Sequence, residues 1–144
     1  MVATRDLRHG LWPLHAIFLA FPIALFTGNL LADIAYLKTA ELQWTNFAAW
    51  LNAGALVFGG VVLAWALLDL VFARKAGRLP RALVYLAVLA VMWLTGLINA
   101  FQHSRDGWSS VGTTGLILSV VSTLAALVAG WLFHSGWTSR ETSQ

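Results

Sequence analysis

The chain has 144 residues, of which 59% are hydrophobic and only 10% are charged, whereas about 25% of the residues of a soluble domain carry a charge. Several apolar runs reach the roughly 20 residues that are needed to cross a hydrocarbon layer of about 30 Å. The composition therefore indicates an integral membrane protein and argues against a soluble domain.

The charge and the cysteine content exclude further classes. The formal net charge is +3, but the basic residues flank the apolar runs, so we expect the lipid bilayer and no nucleic acid as a partner. The chain contains no cysteine, which rules out disulfides and thiolate metal sites but leaves haem held by histidine open.

Four apolar segments follow one another along the chain, approximately at residues 11–36, 47–73, 82–101 and 112–134. Short polar stretches separate them, so consecutive helices should be antiparallel neighbours. We therefore expect one membrane domain over residues 1–144, an all-α, up-down four-helix transmembrane bundle. The first segment is too long for the core of a cleavable signal peptide.

Basic residues predict the orientation of this bundle. Most of them lie on the side shared by the termini and the middle loop, and only Lys38 and Arg105 lie on the other. By the positive-inside rule, both termini should face the cytoplasm of a bacterial inner membrane. Tryptophans at both predicted interfaces agree with an aromatic belt: Trp12, Trp44, Trp108 and Trp137.

The first segment carries four polar or special residues, which are His15, Pro22, Asn29 and Asp33. At 100° per residue, eighteen residues complete five turns, so His15 and Asp33 share one helix face and the other two lie close to it. Ionisable and amide side chains that face lipid cost about 2 to 3 kcal/mol or more, so we expect this stripe to face the bundle interior.

The third segment repeats the arrangement with Tyr85 and His103, again eighteen residues apart, and with Asn99 near the same line. We expect Asn29, Asp33, Asn99 and His103 to meet near the extracytoplasmic end, joined there by Asn52 of the second segment. A buried hydrogen bond between Asp33 and His103 that only fixes the helix register is the structural alternative.

The other end of the bundle offers a candidate cofactor site. We expect His15, Asp69 and His134 to meet there, with the two imidazoles as axial ligands of a haem b and Asp69 as the hydrogen-bond partner of one of them. A second haem site would involve His103. The alternatives are that Asp69 pairs with His15 or Arg74 structurally, and that His134 projects into the headgroups.

Small residues on the fourth segment recur at three- and four-residue spacing, which is typical of close helix packing in membranes: Gly115, Ser119, Ser122, Ala126 and Gly130. The chain contains no phosphate-binding loop, no nucleophile elbow, no zinc-protease motif and no dinucleotide fingerprint. These motifs therefore give no indication of enzyme chemistry, and the sequence leaves open whether the protein is an enzyme.

Two blocks of the chain resemble a family of predicted membrane proteins known as domain of unknown function 2231. The first is "LHAIFLAFPIALFTGNLLADI" and the second is "NAFQHSRDGW" followed by "GLILSVVSTLAALVAGWL". They match the family at His15, Phe21, Pro22, Asp33, Asn99, His103, Arg105, Asp106, Gly107, Trp108, Ser119, Gly130, Trp131 and Leu132.

The resemblance implies four spans and, because relatives often accompany Rieske, cytochrome and other respiratory modules, a redox setting without an established reaction. The chain departs from the family at Ala16, where proline is common, and at Ala20, where a second histidine is common. It also lacks a histidine that is common near residues 84–87.

Three functions follow from these observations. The first is a subunit of membrane electron transfer that binds haem b and works with a membrane-protein or redox partner. The second is a non-catalytic structural or assembly protein. The third is a small proton- or ion-permeation module that uses His15, Asn29, Asp33 and His103 as a relay.

Overall fold

A computed structural model shows four α-helices, and it describes residues 3–75, 77–105 and 111–136, with the backbone alone for residues 3–12. The helices are α1 (Ala3–Thr39), α2 (Leu42–Lys75), α3 (Leu79–His103) and α4 (Thr113–His134). All four are long and apolar enough to cross a membrane. The expected all-α membrane bundle is confirmed.

Three of the helices extend beyond the apolar segments that predicted them. The polar residues between the first two segments are almost all helical, and only Ala40 and Glu41 separate α1 from α2. Hydropathy marks the part of a helix that lies in hydrocarbon, whereas the backbone hydrogen bonds continue into the headgroup layer. The predicted interface markers Trp12, Trp108 and Trp137 have side chains outside the described residues.

Turn chemistry explains where the helices stop. Gly77 has a φ of 67° in the α2–α3 connection, and Gly136 has a φ of 68° just after α4, a backbone conformation that glycine adopts without steric cost. Pro80 stands in the first turn of α3, where its missing N–H costs nothing.

The helices form a closed ring in which α1 and α3 each pack against both α2 and α4. We call the end that holds the starts of α1 and α3 the His15 end, and the end that holds the α1–α2 and α3–α4 connections the Asp33 end. Across the ring, α1 and α3 face each other along the bundle axis through the two polar stripes.

The contacts of α1 and α3 follow an approximate twofold relation. Six buried positions of α1 have buried counterparts on α3 that are 70 positions later in the chain; the pairs are His15 and Tyr85, Leu19 and Leu89, Pro22 and Met92, Phe26 and Gly96, Asn29 and Asn99, and Asp33 and His103. In the first pair and in the last pair, the two residues are hydrogen-bonded to each other. The bundle therefore resembles two α-hairpins related by an axis parallel to the helices.

Two glycine contacts between neighbouring helices follow the same relation, because Gly60 and Gly130, and likewise Ile23 and Trp93, are 70 positions apart. A Cβ atom built on Gly130 would lie 2.8 Å from Ile23 Cδ1, and one built on Gly60 would lie 3.3 Å from Trp93 Nε1. Across the axis, a Cβ atom on Gly96 would lie 2.6 Å from the Phe26 ring. Gly96 thus makes room for the ring of its own counterpart, and this brings α1 and α3 close at that level.

Candidate functional site

The candidate site is a buried polar cluster at the Asp33 end, formed by Asn29, Asp33, Asn99, His103 and Ser119. His103 Nε2 lies 2.8 Å from Asp33 Oδ1. Ser119 donates its hydroxyl to the other carboxylate oxygen and accepts hydrogen bonds from Asn29 Nδ2 at 3.2 Å and Asn99 Nδ2 at 2.9 Å. Asp33, both asparagines and Ser119 have no exposed surface.

Helical phase places these side chains. Asn29 and Asp33 are four positions apart on α1, as are Asn99 and His103 on α3, so each pair projects from consecutive turns of one face. The structure brings together the four residues that the sequence predicted to meet, which are Asn29, Asp33, Asn99 and His103. The three helices α1, α3 and α4 are joined at one point.

Hydrogen-bond roles in the cluster determine how many protons it holds. The backbone carbonyl of Asn99 can only accept, so His103 Nδ1, which lies 2.9 Å from it, must carry a proton. An ionised Asp33 also can only accept, so His103 Nε2 must then carry a second proton. The alternative, a protonated Asp33 that donates to Nε2, holds the same number of protons. Asp33 and His103 therefore share one proton and have no net charge together.

Ser119 is a member of this cluster that the sequence analysis placed on the packing face of α4. Its small side chain fits the packing face of α4, whose five predicted members are all buried. The hydroxyl nevertheless uses its single proton and both lone pairs on residues of α1 and α3. Ser122 does not do so, because its hydroxyl bonds to the Ser119 carbonyl of its own helix.

Asn52 lies next to the cluster and does not belong to it. Its Nδ2 donates to the Gly96 carbonyl at 3.0 Å, and its side chain is fully buried. Gly96 precedes Asn99 by one helical turn, so Asn52 lies one turn deeper in the bundle. On the opposite side of the axis, Thr123 donates to the Phe26 carbonyl at 3.0 Å, and Phe26 is the counterpart of Gly96.

At the His15 end, His15 is buried among aromatic side chains. Its Nε2 lies 2.9 Å from the Tyr85 hydroxyl. The ring also lies 4.7 Å from the Phe133 ring and 5.5 Å from the Trp65 ring, measured between centroids. His15 is thus linked to α3 by one hydrogen bond and to α2 and α4 by ring packing.

The predicted meeting of His15, Asp69 and His134 does not take the form of a bonded cluster. His134 is exposed, and its Nδ1 donates to the Gly130 carbonyl of its own helix at 2.8 Å. Asp69 is half-buried, and among the described residues no hydrogen bond or ion pair joins it to either histidine. The Phe133 ring contacts both imidazoles.

A haem with two histidine ligands needs one ring nitrogen of each histidine for the iron. His103 uses both ring nitrogens within the protein, and His15 directs Nε2 to Tyr85. The free nitrogen of His134 belongs to an exposed side chain. Within residues 13–75, 77–105 and 111–136, no group of three histidine, aspartate or glutamate side chains could hold a metal ion.

An apolar layer separates the two polar ends. His15 and Asn29 are fourteen positions apart, which is about 21 Å along a helix at 1.5 Å per residue. Leu19, Phe26, Leu89 and Met92 occupy the buried faces of α1 and α3 between them and have no exposed surface. The described residues therefore provide no continuous polar path from one end to the other.

A family model for predicted membrane proteins, DUF2231, matches residues 11–137 of the chain. The chain belongs to this family. The DUF2231 match includes His15, Tyr85, Asp33, His103 and Ser119, so their contacts lie within the matched part of the chain. No curated protein and no solved structure matches the chain.

Proposed function

We propose that this DUF2231 protein is a proton-binding module of the membrane, in which the contact between α1 and α3 at the Asp33 end depends on the proton shared by Asp33 and His103. The observation that supports the proposal is the pairing of a fully buried carboxylate with an imidazole inside membrane-spanning helices. Ionisable side chains within membrane-spanning segments are costly and are functional-site candidates by default.

Loss of the shared proton explains how the pair would act. Without it, the His103 Nε2 lone pair faces the negative Asp33 Oδ1 at 2.8 Å, and the attraction between α1 and α3 becomes a repulsion. The stability that the pair contributes is therefore present while the proton is held and is lost when the pH rises far enough to remove it. The apolar layer lets each end exchange protons with its own side only.

Nitrogen NMR of ¹⁵N-histidine-labelled protein in lipid nanodiscs tests the shared proton. We expect a protonated Nδ1 on His103 and one further proton shared between His103 Nε2 and the Asp33 carboxyl, so that a rise in pH changes the Nε2 and carboxyl signals together. The matched variant Asp33→Asn removes the negative partner, so its His103 should become a neutral imidazole at neutral pH. A neutral His103 beside an ionised Asp33 in the unmodified protein would contradict the proposal.

The structural alternative is that Asp33 and His103 only fix the register of the helices. Asn52 and Thr123 each cross to a backbone carbonyl of another helix, so hydrogen bonds without titratable groups already fix the register of the helices. An ion pair is an expensive addition to such contacts, since buried pairs seldom stabilise more than well-packed apolar residues. A bundle stability that does not vary with pH would favour this alternative.

The family resemblance is the ground for electron transfer, and the distribution of basic residues is the ground for the cellular location and orientation. On those grounds we propose a bacterial inner-membrane location with cytoplasmic termini and a redox protein as partner. The described histidines do not support haem b, so we expect the purified protein to show no Soret band in a dithionite-reduced minus oxidised spectrum. A reduced haem band that disappears in His15→Ala would restore the haem hypothesis.

A further inference from the structure

One face of α2 carries a stripe of exposed apolar side chains that ends in a lysine at the His15 end. Its members recur three or four positions apart, so they share one face of the helix: Val57, Val61, Ala64, Leu68, Val71 and Lys75. Leu68 is 68% exposed and Val71 is 60% exposed. The part of the protein that the structure describes therefore leaves this α2 stripe uncovered.

The last part of the α2 stripe lies beyond the level at which α4 ends. In the twofold relation, the last residue of α4, His134, corresponds to Ala64, whereas α2 continues for eleven more residues to Lys75. These residues add about 16 Å of helix. With 34 residues, α2 is about 51 Å long and exceeds a hydrocarbon layer of about 30 Å. The end of α2 therefore lies in the headgroup layer.

A basic cluster surrounds the end of the stripe. It consists of four residues within eight positions of the chain: Arg74, Lys75, Arg78 and Arg81. The turn between the helices keeps them together, because the Arg78 N–H donates to the Ala73 carbonyl at 3.0 Å. Arg74 and Lys75 are exposed, and the other two are half-buried.

Acidic side chains do little to offset this cluster. The first turn of α3 contains no acidic residue, and Asp69 is the single acid among the side chains described at the His15 end. At the Asp33 end, by contrast, the exposed Glu41 accompanies the exposed Lys38 and Arg105. The described side chains thus give the His15 end the larger excess of positive charge.

An anionic phospholipid fits both parts of this surface. The stripe from Val57 to Val71 is about 21 Å long, more than half of a hydrocarbon layer of about 30 Å, so one acyl chain can lie along it. The phosphate then meets Arg74 and Lys75, whose long side chains reach the headgroup level from the end of the helix. A zwitterionic lipid fits the apolar part alone, because its own positive group offsets the phosphate charge.

We propose that Arg74 and Lys75 bind the headgroup of one anionic phospholipid, whose acyl chain lies along the α2 stripe. Arg78 and Arg81 add positive charge beside the headgroup. Basic pockets between membrane helices commonly bind anionic headgroups in this way. The site uses no residue of the cluster around Asp33, so it is independent of the proposed function.

Native mass spectrometry of the full chain in detergent tests the site. Dioleoylphosphatidylglycerol is titrated and compared with dioleoylphosphatidylcholine, which has the same acyl chains and no net charge. We expect one phosphatidylglycerol per chain to bind roughly 25-fold more tightly than phosphatidylcholine, from about fivefold for each of Arg74 and Lys75. Equal affinities for the two lipids would overturn the proposal.

Two double variants locate the binding site. Arg74→Gln with Lys75→Gln should remove the preference for phosphatidylglycerol, whereas Lys38→Gln with Arg105→Gln, which removes two exposed charges at the other end, should keep it. All four side chains are exposed, so both variants should fold. An equal loss of preference in the two variants would show that net charge, and not this site, attracts the lipid, and would also overturn the proposal.

A second copy of the chain is the competing occupant of the stripe. The chain contains no cysteine, so Val71→Cys supplies a single thiol on the exposed part of the stripe. In liposomes that contain phosphatidylglycerol, we expect this variant to stay monomeric under mild oxidation. A disulfide-linked dimer would overturn the lipid assignment in favour of a second copy.

Discussion

Replacing His103 by leucine should lower the free energy of unfolding by about 3 to 5 kcal/mol, which is the usual effect of breaking a buried ion pair by removing one partner. The variant leaves the Asp33 carboxylate, which is fully buried, facing a hydrocarbon side chain in place of an N–H donor. Equilibrium unfolding of the reconstituted protein in a detergent that denatures it measures the loss.

A double-mutant cycle identifies the pair as the cause. Asp33→Asn together with His103→Leu removes the unpaired charge, so the double variant should be more stable than His103→Leu alone, and the two effects should not add. His134→Leu is the matched control, because this histidine is exposed and bonds only to its own helix; its effect should stay within about 0.5 kcal/mol. Additive losses would show that Asp33 and His103 do not interact.

Helical phase was sufficient to predict that Asn29, Asp33, Asn99 and His103 meet, but not that Ser119 joins them. The sequence has polar residues at the same phase on the first and third helices, and a membrane leaves such residues no other place than the bundle interior. The fold was predictable from the length of the apolar segments and from the short connections between them. In lipid, the backbone of a spanning segment must satisfy its own hydrogen bonds, which leaves few arrangements other than a helical bundle. The relation between residues 70 positions apart was not predicted, because only two of the six pairs, Leu19 and Leu89 and Asn29 and Asn99, consist of identical residues.

Phase alone could not predict which buried side chains reach each other. His15 and His134 lie at the same end of the bundle, but the rotation of α4 turns His134 outward and places Phe133 against His15. Tyr85 meets His15 because α3 faces α1 across the axis, which depends on how closely the helices approach. That approach depends on particular side chains, such as Gly96 against Phe26, and no residue pattern specifies it.

The twofold relation clarifies why the polar pairs lie where they do. A contact between a residue and its own counterpart must lie on the axis, which is the place most distant from lipid on all sides. The hydrogen-bonded pairs His15–Tyr85 and Asp33–His103 both lie at such positions on the axis. Each pair consists of two different residue types. If the two hairpins were identical, an aspartate would face an aspartate; the substitution of histidine on α3 converts a repulsive pair into one that holds a proton.

Ser119→Ala should lower the free energy of unfolding by about 2 to 3 kcal/mol, more than the removal of a single neutral hydrogen bond does, because the hydroxyl serves a carboxylate and two amides that have no water to replace it. Ser122→Ala is the control: it is the same substitution three positions along the same helix, equally buried, and its hydroxyl only returns to its own backbone. Its loss should be about 1 kcal/mol or less.

The two serine variants also separate packing from hydrogen bonding. If small size on α4 were the only requirement, alanine would serve at both positions, and the two variants would be equally stable. If Ser119 holds the Asp33 carboxylate in place, Ser119→Ala should in addition weaken the coupling between Asp33 and His103 in the double-mutant cycle, whereas Ser122→Ala should leave it unchanged. The coupling energy therefore distinguishes a residue that only fits between helices from one that positions the proton-binding pair.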